Sequence, residues 1–321
     1  MAAIVSKGAF MSLLSVVIPS YNEEENIAST AEVIGKILSD ARIDYELLFV
    51  SDGSTDGTYA EVCRLSETDE KVKGLQFSRN FGKEAAIFAG LSAAGGDCVA
   101  VIDCDLQHPP ETLVDMYRLW EEGYEVVEGI KSSRGKESIF YKMFAGIFYG
   151  IMSSLMKMNL NATSDFKLLD RKAVEALLSL NESNTFFRAL SFWVGFKSTQ
   201  VEYDVKERAK GKSKWSFSGL VKYAITNTTS FTTAPLRLIG IVGSIMVVFS
   251  IVLGIQTLVN YFLGTAVEGF TTVILLLLLI GGCIMISLGI IGHYLGRIYE
   301  EVKNRPRYII RERTNNLTVR K

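Results

Sequence analysis

The sequence is poor in the residues that build disulfide frameworks and many metal centres. It contains four cysteines and two histidines in 321 residues, and no Cys-x-x-Cys pair occurs. One of the cysteines, Cys283, lies within a long apolar stretch. This composition argues against a disulfide framework or a zinc site, and it fits a reducing compartment. It also excludes a metal site built on several histidines.

Charged residues are also missing from long stretches near the C-terminus. None occurs between Arg237 and Glu268, and the stretch 269–296 carries none apart from one histidine. A transmembrane helix needs roughly 20 apolar residues. We therefore predict a hairpin of two membrane-spanning helices with cores at residues 239–261 and 272–294. The alternative is two buried helices of a soluble core, but such helices rarely run this long without charge.

The distribution of charge predicts an orientation in the membrane. The formal net charge is −1, so no basic balance points to a nucleic-acid partner. The first apolar stretch is preceded by Lys214, Lys222 and Arg237. The tail after the second stretch, residues 297–321, holds eight Lys or Arg against three Glu. The positive-inside rule then places the polar part and both termini on the cytosolic side of the cell (inner or plasma) membrane.

The polar part of the chain alternates apolar runs with helical stretches. The strand candidates are residues 15–18, 46–50, 74–77, 99–102 and 125–128, and the helix candidates are 26–39, 56–66, 83–94 and 110–121. This alternation predicts an α/β fold with a largely parallel sheet. The apolar run 13–18 is too short for a signal peptide, so we interpret it as the first strand and residues 1–12 as a disordered leader.

An acidic motif, Asp103-Cys104-Asp105-Leu106-Gln107, follows the fourth predicted strand. Ligands of such sheets bind at the carboxyl ends of the strands. In an extended segment, residues two apart point the same way, so both carboxylates could face one cation and Gln107 could add an oxygen. Magnesium prefers such oxygens together with substrate phosphate. The alternative is that these residues cap the helix that follows.

Two further polar loops are expected at the same edge of the sheet. They are Pro19-Ser20-Tyr21-Asn22-Glu23 after the first strand and Asp52-Gly53-Ser54 after the second. We expect Asp52 to bind the base or ribose of a nucleotide, although Asp and Gly also favour tight turns. Asp56 is expected to cap the following helix.

Taken together, these motifs resemble the family 2 glycosyltransferases of the GT-A (Rossmann-like) fold, and in particular their polyprenyl-phosphate branch. The resemblance covers residues 15 to about 307 and includes the two-helix hairpin. Beyond the three loops already described, it is carried by Ser78-Arg79-Asn80-Phe81-Gly82-Lys83, Asp165-Phe166-Lys167-Leu168 and the basic segment 208–214.

The resemblance implies a role for individual residues. It implies that Pro19, Tyr21, Glu23 and Asp52 bind the nucleotide, and that Asp103 lies near the nucleotide-sugar. Asp105 and Gln107 would bind a divalent metal, Mg²⁺ or Mn²⁺, on the diphosphate. Three basic residues would contact phosphates of the acceptor or near the bilayer, namely Arg134, Arg208 and Lys214. The implied catalytic residues are Asp103, Asp105 and Arg208.

Three positions depart from the family pattern. Ser51 and His108 stand where many relatives have Asp, and Lys167 replaces a common Arg. Because Lys is a point charge and Arg a fork, the last change weakens the case for a bidentate phosphate contact there.

Two apolar segments could bring the acceptor lipid to the site. Residues 139–156 form a wide apolar helical stripe, and 215–231 is a second candidate rich in aromatic residues. Core packing is the alternative for the first of them. The cluster Lys131, Arg134 and Lys136 precedes it and is expected to bind the acceptor phosphate, the alternative being a solvated surface.

The expected activity is the inverting, metal-dependent transfer of one sugar from a nucleotide-sugar to polyprenyl (undecaprenyl) phosphate at the bilayer surface. UDP-glucose is the first choice by resemblance, with UDP-GlcNAc, UDP-galactose and GDP-mannose as alternatives. A processive polysaccharide synthase and a non-enzymatic membrane scaffold are more remote, and a homo-oligomer is compatible with the sequence. The expected segments are a leader (1–12), the GT-A domain (13–210), a juxtamembrane amphipathic helix (211–235), the hairpin (236–297) and a basic cytosolic tail (298–321).

Overall fold

The computed structural model describes residues 12–131, 164–180, 182, 186–204, 234–263 and 269–317. These residues form two compact units. The first comprises the described residues up to 204 together with 306–317, and the second comprises 234–263 and 269–305. The predicted leader before residue 12 and the two predicted lipid-contacting segments, 139–156 and 215–231, lie outside the described residues.

The first unit contains an eight-stranded mixed sheet with helices packed on it. Its strands are β1 (Leu13–Ser20), β2 (Asp44–Ser51), β3 (Val72–Phe77), β4 (Cys98–Val101), β5 (Val126–Lys131), β6 (Lys167–Asp170), β7 (Ser198–Tyr203) and β8 (Ile310–Arg313). Its helices are α1 (Glu24–Asp40), α2 (Thr58–Thr68), α3 (Lys83–Ala93), α4 (Thr112–Glu121), α5 (Arg171–Ser179) and α6 (Phe187–Trp193).

The strand order across the sheet is β7-β5-β6-β4-β1-β2-β3-β8. The central strands run parallel, with β1 between β4 and β2, whereas β6 and β8 run antiparallel to their neighbours. The carboxyl ends of β1 to β5 therefore lie along one edge, which also receives the amino ends of β6 and β8. Strand β2 lies on one side of β1 and β4 on the other, so the strand order reverses direction at β1. Such a switch point is where α/β sheets bind ligands.

Apolar patterning explains the central layers. Five consecutive residues of β1, from Leu14 to Ile18, are fully buried, as expected for a strand with helices on both faces. On α1 the buried positions Ile27, Thr30, Ile34 and Leu38 recur every three or four residues and form one face against the sheet. Burying these faces from water is the main force that holds the layers together.

The α/β fold predicted from the sequence is confirmed, and the five predicted strands and four predicted helices correspond to β1–β5 and α1–α4 with ends shifted by a few residues. Strands β6, β7 and β8 and helices α5 and α6 were not predicted from the sequence. The sheet is also more mixed than expected, because two late segments insert antiparallel strands.

The C-terminal tail is part of the sheet. Residues 298–321 were predicted to form a separate basic cytosolic tail, whereas in the structure β8 pairs with β3. Pairing satisfies the row of backbone groups that an edge strand would otherwise leave open. Beyond β8, the Thr314 backbone N–H donates to the carbonyl of Gly74 at 3.0 Å, and the Gly74 N–H donates to Thr314 Oγ1 at 3.0 Å.

The second unit consists of two long apolar helices, α7 (Ala234–Phe262) and α8 (Phe270–Val302). The segments Pro235–Phe262 and Leu279–Val302 have mean hydropathies of 2.7 and 1.7 and are long enough to cross a membrane. No residue in the most apolar stretch of either segment is buried. Three hydroxyl groups within these helices are satisfied internally, because Ser244, Thr257 and Ser287 each donate to the carbonyl four residues earlier. The helices are consistent with the predicted hairpin.

The replacement Thr314→Val tests the attachment of the tail to the sheet. Thr314 is buried, and valine keeps its shape but leaves the Gly74 N–H without a partner. We expect a loss of about 1–3 kcal/mol in the free energy of unfolding, read as a lower thermal midpoint of the purified protein. Thr314→Ser keeps the hydroxyl and should lose less; equal losses would show that the hydrogen bond is not the cause.

Candidate active site

The loops after β1 and β2 are fastened to each other at the carboxyl edge of the sheet. Asn22, which has a positive φ of 55°, accepts a hydrogen bond from the Thr55 N–H at 2.9 Å and donates its own N–H to Ser54 Oγ at 3.1 Å. The Glu23 N–H donates to Thr58 Oγ1 at 2.9 Å. These bonds fix the backbone around Tyr21, whose side chain is 47% exposed at this edge.

Asp52 is buried at the end of β2 and holds a third loop. Its carboxylate accepts hydrogen bonds from the backbone N–H groups of Phe81 at 2.7 Å and Gly82 at 2.9 Å. Burial raises the pKa of Asp52, and the two N–H donors partly offset that effect. The residue predicted to contact the nucleotide therefore also positions the loop 78–82.

Gly53 allows this loop to approach closely. Its φ is +63°, and a Cβ at this position would collide with the backbone of Arg79 and Asn80. Only glycine combines that conformation with that contact. At the start of α2 the N-cap position is occupied by Gly57, not by the predicted Asp56. The Asp56 carboxylate, one residue earlier, still accepts the Thr58 N–H at 3.0 Å.

The loop after β4 is a turn rather than an extended segment. Residues 104 and 105 are in a turn, and Leu106 has a positive φ of 53°. The carbonyl of Cys104 accepts a hydrogen bond from Thr30 Oγ1 of α1 at 2.8 Å, and Asp105 Oδ1 accepts the Gln107 N–H at 3.1 Å. The expectation that Asp103 and Asp105 project together from an extended segment is therefore wrong. Helix α4 begins only at Thr112 and has no side-chain cap, so the capping alternative is not observed either.

The donor set of this turn fits a divalent metal that a substrate completes. Asp105 and Gln107 supply hard oxygen donors at the edge of the sheet. Among the described residues, no group of three or more His, Cys, Asp or Glu could hold a metal ion without help. Magnesium and similar ions bind in this way when a nucleotide phosphate supplies further ligands.

Asp103 belongs to a cluster of charged residues from four parts of the chain. The Lys83 ammonium lies 2.6 Å from Asp103 Oδ1 and 3.0 Å from Asp165 Oδ2. Arg188 donates two hydrogen bonds to the same Asp165 carboxylate, from Nε at 2.6 Å and from Nη2 at 2.9 Å. Burial alone would lower the pKa of Lys83 and raise that of Asp165, but the ion pairs outweigh burial and shift both pKa values the other way.

Glu84 is the remaining carboxyl group of the cluster. It accepts the backbone N–H of Phe187, at the start of α6, at 2.9 Å. Burial raises the pKa of Glu84 to about 7, with a further contribution from the negative charge of Asp165. With Glu84 protonated, the two cations Lys83 and Arg188 balance the two carboxylates Asp103 and Asp165.

Of the positions that depart from the family pattern, Ser51 and Lys167 are buried and His108 is partly buried. Lys167 is 2% exposed at its side chain and forms a 2.7 Å ion pair with Glu128 of the adjacent strand. Burial lowers the pKa of Lys167, and Glu128 partly offsets this. His108 stacks on Phe166, with ring centroids 5.0 Å apart, and burial lowers its pKa. Lys167 is thus engaged inside the sheet.

The predicted phosphate-binding residues are only partly described. Lys131 is exposed at the carboxyl end of β5, on the edge that carries the site. Arg134, Lys136, Arg208 and Lys214 lie outside the described residues. The other predicted site residues lie at that edge: Pro19 is the last residue but one of β1, and Tyr21, Glu23, Asp52, Asp103, Asp105 and Gln107 follow β1, β2 or β4.

Comparison with known proteins identifies the family. The model of glycosyl transferase family 2 matches residues 15–178. A Bacillus subtilis (strain 168) relative named "Putative glycosyltransferase CsbB" is 41% identical over 302 residues, which cover 94% of this chain and 92% of the relative. This chain belongs to glycosyl transferase family 2. The glycosyltransferase is also 35% identical over 301 residues to the SfII prophage-derived bactoprenol glucosyl transferase of Shigella flexneri, covering 93% and 97% of the two chains.

The solved structures confirm the GT-A fold of the glycosyltransferase. Glucosyl-3-phosphoglycerate synthase from Mycobacterium tuberculosis, in complex with Mn²⁺, uridine diphosphate and glucosyl-3-phosphoglycerate, matches with a TM-score of 0.52. The identity is 21%, and the match covers 68% of this chain and 78% of that one. At this identity the likeness concerns the fold.

Three residues of the cluster around Asp103 received no role from the sequence. Lys83 and Asp165 were named only within the motifs that carry the family resemblance, and Arg188 was not named. Asp165 reaches the edge because β6 is antiparallel and starts there. The only signal in the sequence that could have pointed to Asp165 is its position as a charged residue beside the short apolar strand β6.

The replacement Glu84→Gln tests the protonation of the cluster. A raised pKa in the folded state means that folding stability contributed by the proton is complete below the unfolded pKa of about 4.5 and is lost as the pH rises through about 7. Glutamine keeps an acceptor for Phe187 and cannot ionise. The stability of the variant relative to wild type should therefore rise by up to about 3 kcal/mol between pH 5 and pH 8. If the free energy of unfolding of the variant differed from that of wild type by the same amount at pH 5 and at pH 8, the assignment would be contradicted.

Proposed function

We propose that this glycosyltransferase moves one sugar from a nucleotide-sugar, UDP-glucose in the first instance, to polyprenyl phosphate at the cytosolic surface of a membrane. The observation that carries the proposal is the meeting of three loops and the Lys83–Asp103–Asp165–Arg188 cluster at the sheet's switch point. The names of the Shigella bactoprenol glucosyl transferases, which align along almost the whole chain, support the acceptor and the sugar.

The donor would bind across the loops after β1, β2 and β4. The exposed Tyr21 and the fixed backbone beside it offer a surface for the nucleotide, while Asp52 keeps the loop 78–82 in place. Asp103, held by Lys83, would face the sugar. The solved relative that carries Mn²⁺ and uridine diphosphate supports the choice of a uridine donor.

Asp105 and Gln107 would hold a divalent metal together with the donor diphosphate. When bound, that ion would neutralise charge on the departing diphosphate. At the same edge Lys83 and Arg188 balance the charge of Asp103 and Asp165, so these carboxylates do not repel the attacking and leaving groups, which are both anions. Lys83 and Arg188 are held in place by Asp103 and Asp165, so their charge is positioned before the reaction begins.

The acceptor would need little activation. A phosphate monoester has a second pKa near 6, so its oxygen is mostly ionised and nucleophilic at neutral pH. Attack from the face opposite the leaving diphosphate forms the new bond to the anomeric carbon as the old one breaks, which inverts that centre. Lys131, exposed at the end of β5, would contact the acceptor phosphate, and Arg134, Arg208 and Lys214 are proposed to assist it.

The apolar helices α7 and α8 would anchor the enzyme where its acceptor is found. A polyprenyl chain stays in the bilayer, so a catalytic unit joined to two membrane-crossing helices meets the phosphate at the surface. The Lys- and Arg-rich segments on both sides of the helices support a cytosolic position for the catalytic unit.

Incubation of the purified enzyme with undecaprenyl phosphate and labelled nucleotide-sugars tests the reaction. We expect a single labelled sugar on the lipid, formed from UDP-glucose faster than from UDP-GlcNAc, UDP-galactose or GDP-mannose. Chromatography of the lipid product distinguishes a monosaccharide from a polymer. Transfer of a different sugar would correct the donor, and a polymeric product would overturn the proposal.

Asp105→Ala tests the metal-binding assignment. Because the variant removes a carboxylate from the turn, we expect loss of transfer by at least about a hundredfold and loss of Mn²⁺ binding in the presence of UDP, with an unchanged thermal midpoint. Electron paramagnetic resonance of Mn²⁺ provides the binding measurement.

Asp115→Ala is the matched control for that variant. It removes an exposed carboxylate from α4, the helix that follows the same loop, and should retain both activity and Mn²⁺ binding. Near-normal turnover by Asp105→Ala would refute the metal assignment even if the rest of the proposal held.

A further inference from the structure

The segment that follows α8 belongs to the first unit and pairs with its sheet, and we call residues 306–317 the C-terminal strap. Its middle is β8, which pairs antiparallel with β3 through Phe77–Ile310, Gln76–Glu312 and Leu75–Arg313. Because β8 is antiparallel, its amino end lies at the carboxyl end of β3. The residues that precede β8 therefore lie at the edge of the sheet that carries the active site.

Tyr308 and Ile309 of the strap contact Phe77 and Ser78, where β3 ends and the loop 78–82 begins. The Tyr308 ring stacks on Phe77, with centroids 5.1 Å apart and planes at 11°. Phe77 in turn meets Phe81 edge-on, with centroids 5.7 Å apart. The Ser78 N–H donates to the carbonyl of Ile309 at 3.0 Å. The strap thus contacts the loop directly at its first residue, Ser78, and indirectly at Phe81, because Phe77 lies between the Tyr308 and Phe81 rings.

The strap is anchored on both sides of this contact. The Arg307 guanidinium donates to the carbonyls of Leu180 and Glu182 beyond α5, and lies over the Phe88 ring at 5.0 Å. At the other end, Asn316 donates its side-chain N–H to the carbonyl of Val72 at 2.9 Å. Tyr308 therefore stacks on Phe77 from a segment with fixed ends.

The loop 78–82 connects the strap to two groups of the site. Its residues Phe81 and Gly82 donate their N–H groups to the buried Asp52 carboxylate. Gly82, with φ +100°, also sets the start of α3, whose first residue is Lys83. A displacement of this loop would therefore move the donors to Asp52 and the ammonium between Asp103 and Asp165 together.

We propose that the C-terminal strap is a positioning element of the donor site, and that Tyr308 is its positioning residue, acting on Asp52 and Lys83 through Phe77, Phe81 and the loop 78–82. The proposal rests on the donor site described under the proposed function. It gives the segment after the second apolar helix a task in nucleotide binding, although none of its residues need touch the nucleotide.

Aromatic contacts of this kind are strong enough to matter. Loss of a stacked pair corresponds to a roughly two- to tenfold change in the fraction of molecules in which the loop 78–82 is bonded to Asp52. The effect should appear in binding of the donor, because the loop's N–H groups are engaged with Asp52 before any chemistry takes place. The turnover rate at saturating donor should change much less.

Hydrogen–deuterium exchange tests the physical link without any ligand. In the full-length protein, Tyr308→Ala should accelerate exchange of the Phe81 and Gly82 amides roughly two- to tenfold. Tyr308→Phe keeps the ring and should exchange like wild type. Ile34→Val removes a methylene from the buried face of α1, outside the strap, and serves as the stability control, with unchanged exchange at the loop. No acceleration in Tyr308→Ala, or equal acceleration in Ile34→Val, would overturn the proposal.

Kinetics in the same variants test the consequence for the donor. Tyr308→Ala should raise the KM for UDP-glucose and the Kd of UDP by the same roughly two- to tenfold, leave kcat within about twofold, and be rescued by Tyr308→Phe. A fall in kcat at constant KM, or a KM shift shared by the stability control Ile34→Val, would contradict a positioning role.

The two experiments separate this proposal from the one it rests on. If wild-type protein neither binds UDP nor transfers glucose, the proposed donor is wrong, while the exchange measurement still decides whether Tyr308 holds the loop. If wild type is active and the exchange of Phe81 and Gly82 is indifferent to Tyr308, the strap proposal alone fails.

Discussion

The ammonium group of Lys83 lies between the carboxylates of Asp103 and Asp165, and the remainder of the site depends on this arrangement. Without a cation there, two carboxylates at one edge would repel each other and any anionic substrate. Arg188 completes the balance from α6, and its fork fixes the orientation of Asp165. The cluster joins α3, the end of β4, the start of β6 and α6, so the site is assembled only when all four have packed.

The two antiparallel strands give the sheet its functional asymmetry. A parallel strand delivers its carboxyl end to the active edge, whereas β6 and β8 deliver their amino ends. By this means β6 brings Asp165 to Asp103, and β8 brings Tyr308 to the loop beside Asp52. Both insertions join residues far apart in the chain, which ties the site to the completed fold rather than to one motif.

Sequence reasoning succeeded where the signal was local. The strands β1–β5 follow from short apolar runs, α1–α4 from helical spacing between them, and α7 and α8 from long uncharged stretches. It failed where geometry had to be assumed. Asp103 and Asp105 were expected to project together from an extended segment, but the chain turns at residues 104–106. Lys167 was compared with a phosphate-binding Arg, but it is buried against Glu128.

The sequence by itself determined the α/β alternation, the position of the polar loops after β1, β2 and β4, and the apolar character of the last two helices. These are properties of consecutive residues, so periodicity and composition are sufficient to recognise them. Only the tertiary structure decided that Lys83 and Arg188 share Asp165, that Glu84 carries a raised pKa, and that the tail returns to pair with β3. Charge pairing, burial and strand pairing join residues far apart in the chain, and no local pattern specifies which of them meet.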